Sequence, residues 1–320
     1  MIDLRRLHVL RVVEQRGTIT AAAGSLHLTP SAVSQQLRQL SHELDLPLLE
    51  PDGRRVRLTA AAYALLRHAD DLAARWEAAR GELQAFAEHS GGLLRLSGFA
   101  SVFGSLILPA VRQLQREDPL LRVRVLEVET ADSYERLLAG ELDIAVALPA
   151  LGGPSANDPR FEQYPLLDEQ QDMFVSADHP LATRERVRLN EFAHDDWVLP
   201  EPRSCDQCDL VTVACATAGF TPNVVHNAKD WGASIELVAH GFGVCMMPRS
   251  IPVAAGFAVV RLPVREPTPR RRLLTATRRG SRGQRPIALG LAALQKAAEE
   301  AAAGRPLTFQ APVVTATPQS

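Results

Sequence analysis

At 320 residues the chain is too long for one compact core of ordinary size, and two or three units are expected. Apolar residues make up 46% and charged residues 22%, which excludes wholesale disorder, and a net charge of −2 excludes coating of nucleic acid by bulk charge. Arg5, Arg6 and Arg11 stand where a secretory signal needs an apolar core, and no apolar run reaches bilayer length, so a cytoplasmic protein without a membrane partner is expected.

Residues 1–60 hold eight arginines against six carboxylates, a mildly basic head on a mildly acidic chain. Leu4, Leu7, Val9, Leu10 and Val13 recur at roughly helical spacing ahead of Gly17, which predicts a first helix. Thr18 and Thr20 then precede Ala21-Ala22-Ala23, a second helix with Thr20 as its expected cap and an end near Leu26. Thr29 and Pro30 supply the cap and first residue of a third, whose apolar stripe is Val33, Leu37, Leu40 and Leu44. Two short helices across a short turn match a helix-turn-helix, whose second helix enters the major groove. The outward residues of that helix, Ser31, Ser34, Gln35, Arg38 and Gln39, suit base edges and phosphates. From Asp52 to Thr59 a turn is followed by alternating basic and apolar residues, a hairpin wing with its arginines beside the duplex.

Thr59 to about His89 contains no proline and much Ala, Leu, Arg and Glu, which favours one long helix. Leu65, Ala69, Leu72, Trp76, Ala79, Leu83 and Phe86 follow steps of four and three, a heptad seam that fits dimerisation, and Ser90-Gly91-Gly92 ends it. Beyond lie strands predicted at Leu93–Phe99, Leu121–Val128 and Leu142–Leu148, with helices from Ser101 toward Glu117 and from Ser133 to Ala139. This alternation indicates an α/β fold with a mainly parallel sheet. A second α/β unit offers strands at Asp172–Ser176, Trp197–Leu199, Val224–His226 and Val244–Met247, and a helix from Ser204 with Gln207 completing a capping box. Ser101, Thr130 and Ser204 each open a helix after an extended segment, where hydroxyls and free amides favour a small polar or anionic ligand. Pro202 and Asn227 complete the expected effector contacts.

The run "TAAAGSLHLTPSAVSQQLRQLSHELDLPLLEPDGRRVRLT" resembles the DNA-binding region of LysR-type transcriptional regulators, and "GELDIAVA", "HPLA", "ACATAGFTPNV" and "LVAHGFGVCMMP" resemble their effector domain in the same order. The resemblance implies double-stranded DNA as partner and contacts at Pro30, Ser31, Ser34, Gln35, Arg54 and Arg55, and Thr20 and Arg38 are expected to join them. Pro30, Gln35, Pro51 and Asp45 stand where the family commonly has Gln, Arg, Arg and Gly. The implied architecture is a winged helix-turn-helix (1–58), a linker helix (59–90) and a two-lobed effector domain of the type 2 periplasmic-binding-protein kind (91–304), with a disordered tail (305–320). Lobe I takes 91–160 and 264–304, and lobe II takes 161–263. A homodimer or homotetramer follows from the family, with RNA polymerase as a candidate partner.

Cys205 and Cys208, close together at a helix start, offer an alternative as a thiol-based redox sensor. No Cys or His pair at zinc spacing accompanies them, so no metal is expected. Neither a nucleophile elbow nor a phosphate loop is present, and no catalysis or cofactor is expected. Solute-binding proteins and enzymes with the same two-lobed fold form the competing class, the former requiring an export signal.

Overall fold

A computed structural model describes residues 3–53, 55–84, 86, 91–149, 153–202, 206–253 and 256–303. The chain forms two compact units, the first ending at Arg80 and the second beginning at Gly81. The expected tail at 305–320 and the end of the linker helix at 87–90 lie outside the described residues.

In the first unit α1 (Leu4–Arg16) is capped by the Asp3 carboxylate and ends at Gly17 in the left-handed region. The second helix, α2 (Ile19–Ser25), is capped by Thr18, whose hydroxyl accepts from the amide of Ala21, and not by Thr20. Thr18 is in extended backbone, which a cap requires, whereas Thr20 is already the second helical residue. In α3 (Pro30–Leu44) Thr29 is the cap as expected, its hydroxyl accepting from the amide of Ala32, and Asp45 closes the helix at φ 52°. Leu10, Val13, Ala22, Val33, Leu37 and Leu40 form the head's core, onto which Leu58, Ala62 and Leu66 also pack. The wing pairs β1 (Leu49–Asp52) antiparallel with β2 (Arg55–Leu58) around Gly53. Thr59 then starts α4 (Ala60–Gln84) by accepting from the amide of Ala62. The early seam residues Leu65 and Ala69 are partly buried against the head, but Leu72, Trp76 and Leu83 are 53%, 61% and 60% exposed.

The second unit opens with β3 (Leu93–Gly98), a 3₁₀ turn (Ala100–Val102), a π-helical turn (Phe103–Ile107) and α5 (Leu108–Glu117). Then come β4 (Arg122–Glu127), α6 (Thr130–Leu138) and β5 (Ile144–Ala147). The 16-residue β6 (Phe161–Ser176) leads to β7 (Asp196–Leu199), α7 (Asp206–Thr217) and β8 (Asn223–Asn227). The chain continues through α8 (Trp231–Ala239), β9 (Cys245–Pro248), β10 (Val259–Pro263), β11 (Arg270–Arg278) and α9 (Arg285–Ala302).

The main sheet is mixed, not mainly parallel. Only β3 pairs parallel with β4 and β5, whereas β11 is antiparallel to β5 and β6, and β6 to β9 and β10. The ladder passes from lobe I to lobe II within β6: residues 161–170 pair with β11, and residues 171–176 with β9 and β10. The change of partner therefore falls at Gln170–Gln171, later than the expected 160/161 boundary, and the polar residues Asp168–Gln170 stay paired with β11 opposite Arg270–Arg272. In lobe I, α9 lies close on the sheet, since a side chain at Gly290 would meet Leu94 and Ile144 at 2.7 Å. Lobe II has its own core, with Trp197, Phe192, Met173 and Val211 fully buried.

Candidate functional site

On the head, Thr20, Pro30, Ser31, Gln35 and Arg38 are exposed and Ser34 is half-buried, so α3 presents one polar face. Ser31 shares a hydrogen bond of 3.0 Å with Thr29 Oγ1, and Arg38 Nε donates to the carbonyl of Ser34 at 3.3 Å. Two other arginines are committed to bracing the fold. Arg6 pairs with Glu43, and Arg11 reaches the Asp70 carboxylate at 2.5 and 2.6 Å, tying α1 to α4. On the wing Arg57 pairs with Glu50 at 2.8 Å. Arg54 and the side chain of Arg55 lie outside the described residues.

The second unit holds a cleft between its lobes, a cavity of about 40 Å³ walled in part by Ser101, Glu129, Asp206, Lys229 and Arg271. Ser101 does not cap α5: it sits inside the 3₁₀ turn, and its hydroxyl accepts from Arg271 Nη1 at 2.7 Å. Thr130 does not cap α6 either. It is the first helical residue, its Oγ1 accepts from the amide of Leu148 at 3.2 Å, and it is hydrogen-bonded to the Asp206 carboxyl. Among the described residues neither hydroxyl therefore offers the free helix terminus that an anion would need. Asn227, at the end of β8, donates to the carbonyl of Leu199 at 3.3 Å, and Pro202 is exposed in a turn; neither walls this cavity. Ser204 and Cys205 lie outside the described residues, and α7 begins at Asp206. Gln207 Nε2 donates to Gln171 Oε1 and to the carbonyl of Met246, and the capping box expected with Ser204 falls partly outside the described residues.

Sequence reasoning missed the centre of this cleft. Arg271 is 3% exposed and donates through Nε to Glu169 Oε2 at 2.7 Å, while Glu169 Oε1 accepts from the amide of Ser250 at 3.0 Å. Arg271 also lies 5.5 Å from the centre of the Phe99 ring. Burial pulls the Arg271 guanidinium below its ordinary pKa, and Glu169 works against that. One chain of contacts thus runs from Ser101 in lobe I, through the two crossing strands, to the loop after β9 in lobe II. The register could have signalled it, since Arg270-Arg271-Arg272 stands opposite Asp168-Glu169-Gln170. Across the mouth Lys229 Nζ lies 2.7 Å from Glu129 Oε1. Burial raises the Asp206 carboxyl above 3.8, with Thr130 opposing the shift and Asp209 adding to it. A larger cavity of about 730 Å³, lined by α7 and the 265–272 segment, shares Leu148, Asp206 and Arg271 with the cleft.

Cys208, Cys215 and Cys245 are buried, and burial pushes the Cys215 thiol up to about 12 and raises Cys245 as well. Cys215 and Cys245 are therefore poor nucleophiles at neutral pH, and the burial of Cys208 does not favour the thiol-based alternative. Among the described residues no His, Cys, Asp and Glu cluster could hold a metal ion, and no helix is long and apolar enough to cross a membrane.

A winged helix-turn-helix followed by a two-lobed α/β unit with a polar cleft defines a DNA-binding protein that carries its own ligand sensor. Residues 4–63 match the bacterial regulatory helix-turn-helix of the lysR family, residues 87–299 match the LysR substrate binding domain, and the chain belongs to the LysR family of transcriptional regulators. It is 28% identical over 253 residues to the HTH-type transcriptional regulator AlsR of Bacillus subtilis, covering 78% of this chain and 81% of that one. To the dual regulator OxyR of Escherichia coli it is 28% identical over 283 residues, covering 88% and 90%. Among solved structures, a full-length OxyR variant from Pseudomonas aeruginosa matches with TM-score 0.60 at 22% identity over 92% of this chain and 95% of that one. Full-length BenM matches with TM-score 0.58 at 21% identity, covering 95% and 98%. These last two similarities establish the fold.

Proposed function

We propose that this regulator binds its operator as a dimer joined along α4, with α3 in the major groove and the wing beside it, and that a small polar effector held between the lobes sets its activity. Thr20, Pro30, Ser31, Ser34, Gln35 and Arg38 contact the DNA from α2 and α3, and Arg54 and Arg55 contact it from the wing. Ser101 and Thr130 face the effector, with Pro202, Ser204 and Asn227 toward the rim. Work divides between residues 1–58 for DNA, 59–90 for pairing and 91–304 for sensing, with 305–320 as a tail. The protein acts in the cytoplasm without catalysing a reaction, pairs further through its sensor domains to a tetramer, and meets RNA polymerase at the promoter.

The observation that carries this reading is the polar chain Ser101–Arg271–Glu169–Ser250, which links both lobes beside a cavity. A polar group brought to Ser101 or Arg271 competes with that chain and biases how the lobes meet. Gel shifts of the full chain on the DNA upstream of its own gene test the DNA half. Replacing Ser34 or Gln35 with Ala is expected to alter sequence preference, while Arg54→Ala or Arg55→Ala weakens binding to all sequences and flattens the salt dependence by about one counterion each. No shift at low salt, or equal loss of specificity from all four, refutes the division. Thermal shift of the full chain against a metabolite panel tests the sensor half, with Ser101→Val expected to weaken any response.

A further inference from the structure

We infer that the effector bears a protonated amine, received by the carboxylate of Asp206 where the cleft opens into the larger cavity. The inference rests on the between-lobe reading above and narrows its ligand to one chemical class.

The balance of committed charges argues for it. Two cationic side chains wall the cleft, and each already has a carboxylate: Arg271 lies 2.6 Å from Glu169, and Lys229 lies 2.7 Å from Glu129. Asp206 has no such counterpart among the described residues. Its Oδ2 is buried without a hydrogen-bond partner, and the group that reaches the carboxyl is the neutral hydroxyl of Thr130. The side-chain amide of the next residue, Gln207 Nε2, is engaged by Gln171 and by the carbonyl of Met246. A buried carboxylate oxygen with no donor carries the full penalty of lost hydration, and a ligand that brings N–H donors relieves it. Within the cleft itself an anion would instead meet Asp206 and Glu129 with both wall cations engaged.

The space agrees with this placement. The cleft as it stands, about 40 Å³, holds little more than a water molecule or two. The adjoining cavity of about 730 Å³ shares Asp206, carries the apolar side chains of Leu210 and Val213, and is also lined by Arg188, Arg265, Arg270 and Arg272, so an acidic group elsewhere on an amine-bearing skeleton would meet cations there. An amine at Asp206 would sit at the junction, with its carbon skeleton in the larger space.

The test uses the full chain, titrated by calorimetry and thermal shift with three probe sets on matched carbon skeletons: primary amines, α-amino acids and the corresponding 2-hydroxy acids. A response to one or both amine-bearing sets is expected, absent with the hydroxy acids. Asp206→Asn should weaken that response about tenfold or more, as the loss of a charge-assisted hydrogen bond would. Glu185→Gln, which removes an exposed carboxylate that lines neither cavity, should leave it unchanged, and unaltered circular dichroism and DNA binding would show that Asp206→Asn still folds. A response to hydroxy acids that Ser101→Val weakens and Asp206→Asn spares overturns the amine assignment and leaves the between-lobe site standing. A response that neither substitution weakens overturns both, and silence from every amine-bearing probe overturns the assignment.

Discussion

Arg271→Met is the sharpest test of how the sensor unit is held together. Arg271 and Glu169 face each other across β11 and β6 and are 3% and 7% exposed. Methionine keeps much of the arginine stem and its packing beside Phe99 but removes the guanidinium. The Glu169 carboxylate is then left with the amide of Ser250, and the Ser101 hydroxyl loses the donor 2.7 Å away. Removing one partner of a buried ion pair costs about 3–5 kcal/mol, because the remaining charge stays buried. The orphaned hydroxyl adds about 1 kcal/mol. A loss of about 4 kcal/mol or more is therefore expected in urea denaturation followed by the fluorescence of Trp197 and Trp231. The double variant Arg271→Met with Glu169→Leu removes both charges at once, and such replacements are often close to neutral, so it should regain most of the loss. A single variant that costs under about 1 kcal/mol, or a double variant no more stable than the single, refutes the reasoning.

Leu72→Asp with Leu83→Asp places charge on the exposed face of α4; about 1 kcal/mol of apolar burial per leucine is lost from a dimer seam, and light scattering should show a fall in mass. Asp45 closes α3 at φ 52°, a conformation costly for any side chain, so Asp45→Gly should stabilise the head by about 0.5–1 kcal/mol in thermal denaturation; a loss would mean that the carboxylate supplies a compensating contact. The Asp206 carboxyl is raised above 3.8 in the folded chain, so the folded state holds the proton more tightly than the unfolded one. Stability is accordingly lost as pH rises from 3.8 through the folded value, and Asp206→Asn should abolish that part of the pH profile.

The head was legible because its signals are local. Thr29 with Pro30, Gly17, and the stripe Val33, Leu37, Leu40 each act within one helix, and each does so in the structure. The cap of α2 was misplaced between two threonines two residues apart, since either satisfies the same pattern and only the backbone angle distinguishes them. In the sensor unit the apolar strands β3 and β5 stood out, but β6 before Asp172 did not. Its Asp168–Gln171 run has the composition of a loop, and in the strand Asp168, Glu169 and Gln170 stand opposite three arginines distant in sequence. Ser101 and Thr130 were found as polar residues at strand ends, yet their partners, Arg271 and Leu148, come from elsewhere in the chain and no spacing rule reaches them. The same holds for Asp206, whose importance lies in what fails to surround it.

The single strand that serves both lobes bears on how a signal can leave the cleft. Periplasmic-type closure is usually pictured as two rigid plates swinging on slack tethers, but here one tether is a ladder rung: β6 is hydrogen-bonded along its whole length, first to β11 and then to β9 and β10. Bending at Gln170–Gln171 therefore strains bonds on either side of the bend, and the irregularity at Leu273/Leu274 in the facing strand is the nearest place where the ladder already gives. Such a joint behaves as a leaf spring. A strand so bonded is expected to resist wide excursions, and a small torsion applied in the cleft is expected to reach the sheet on both sides of the bend.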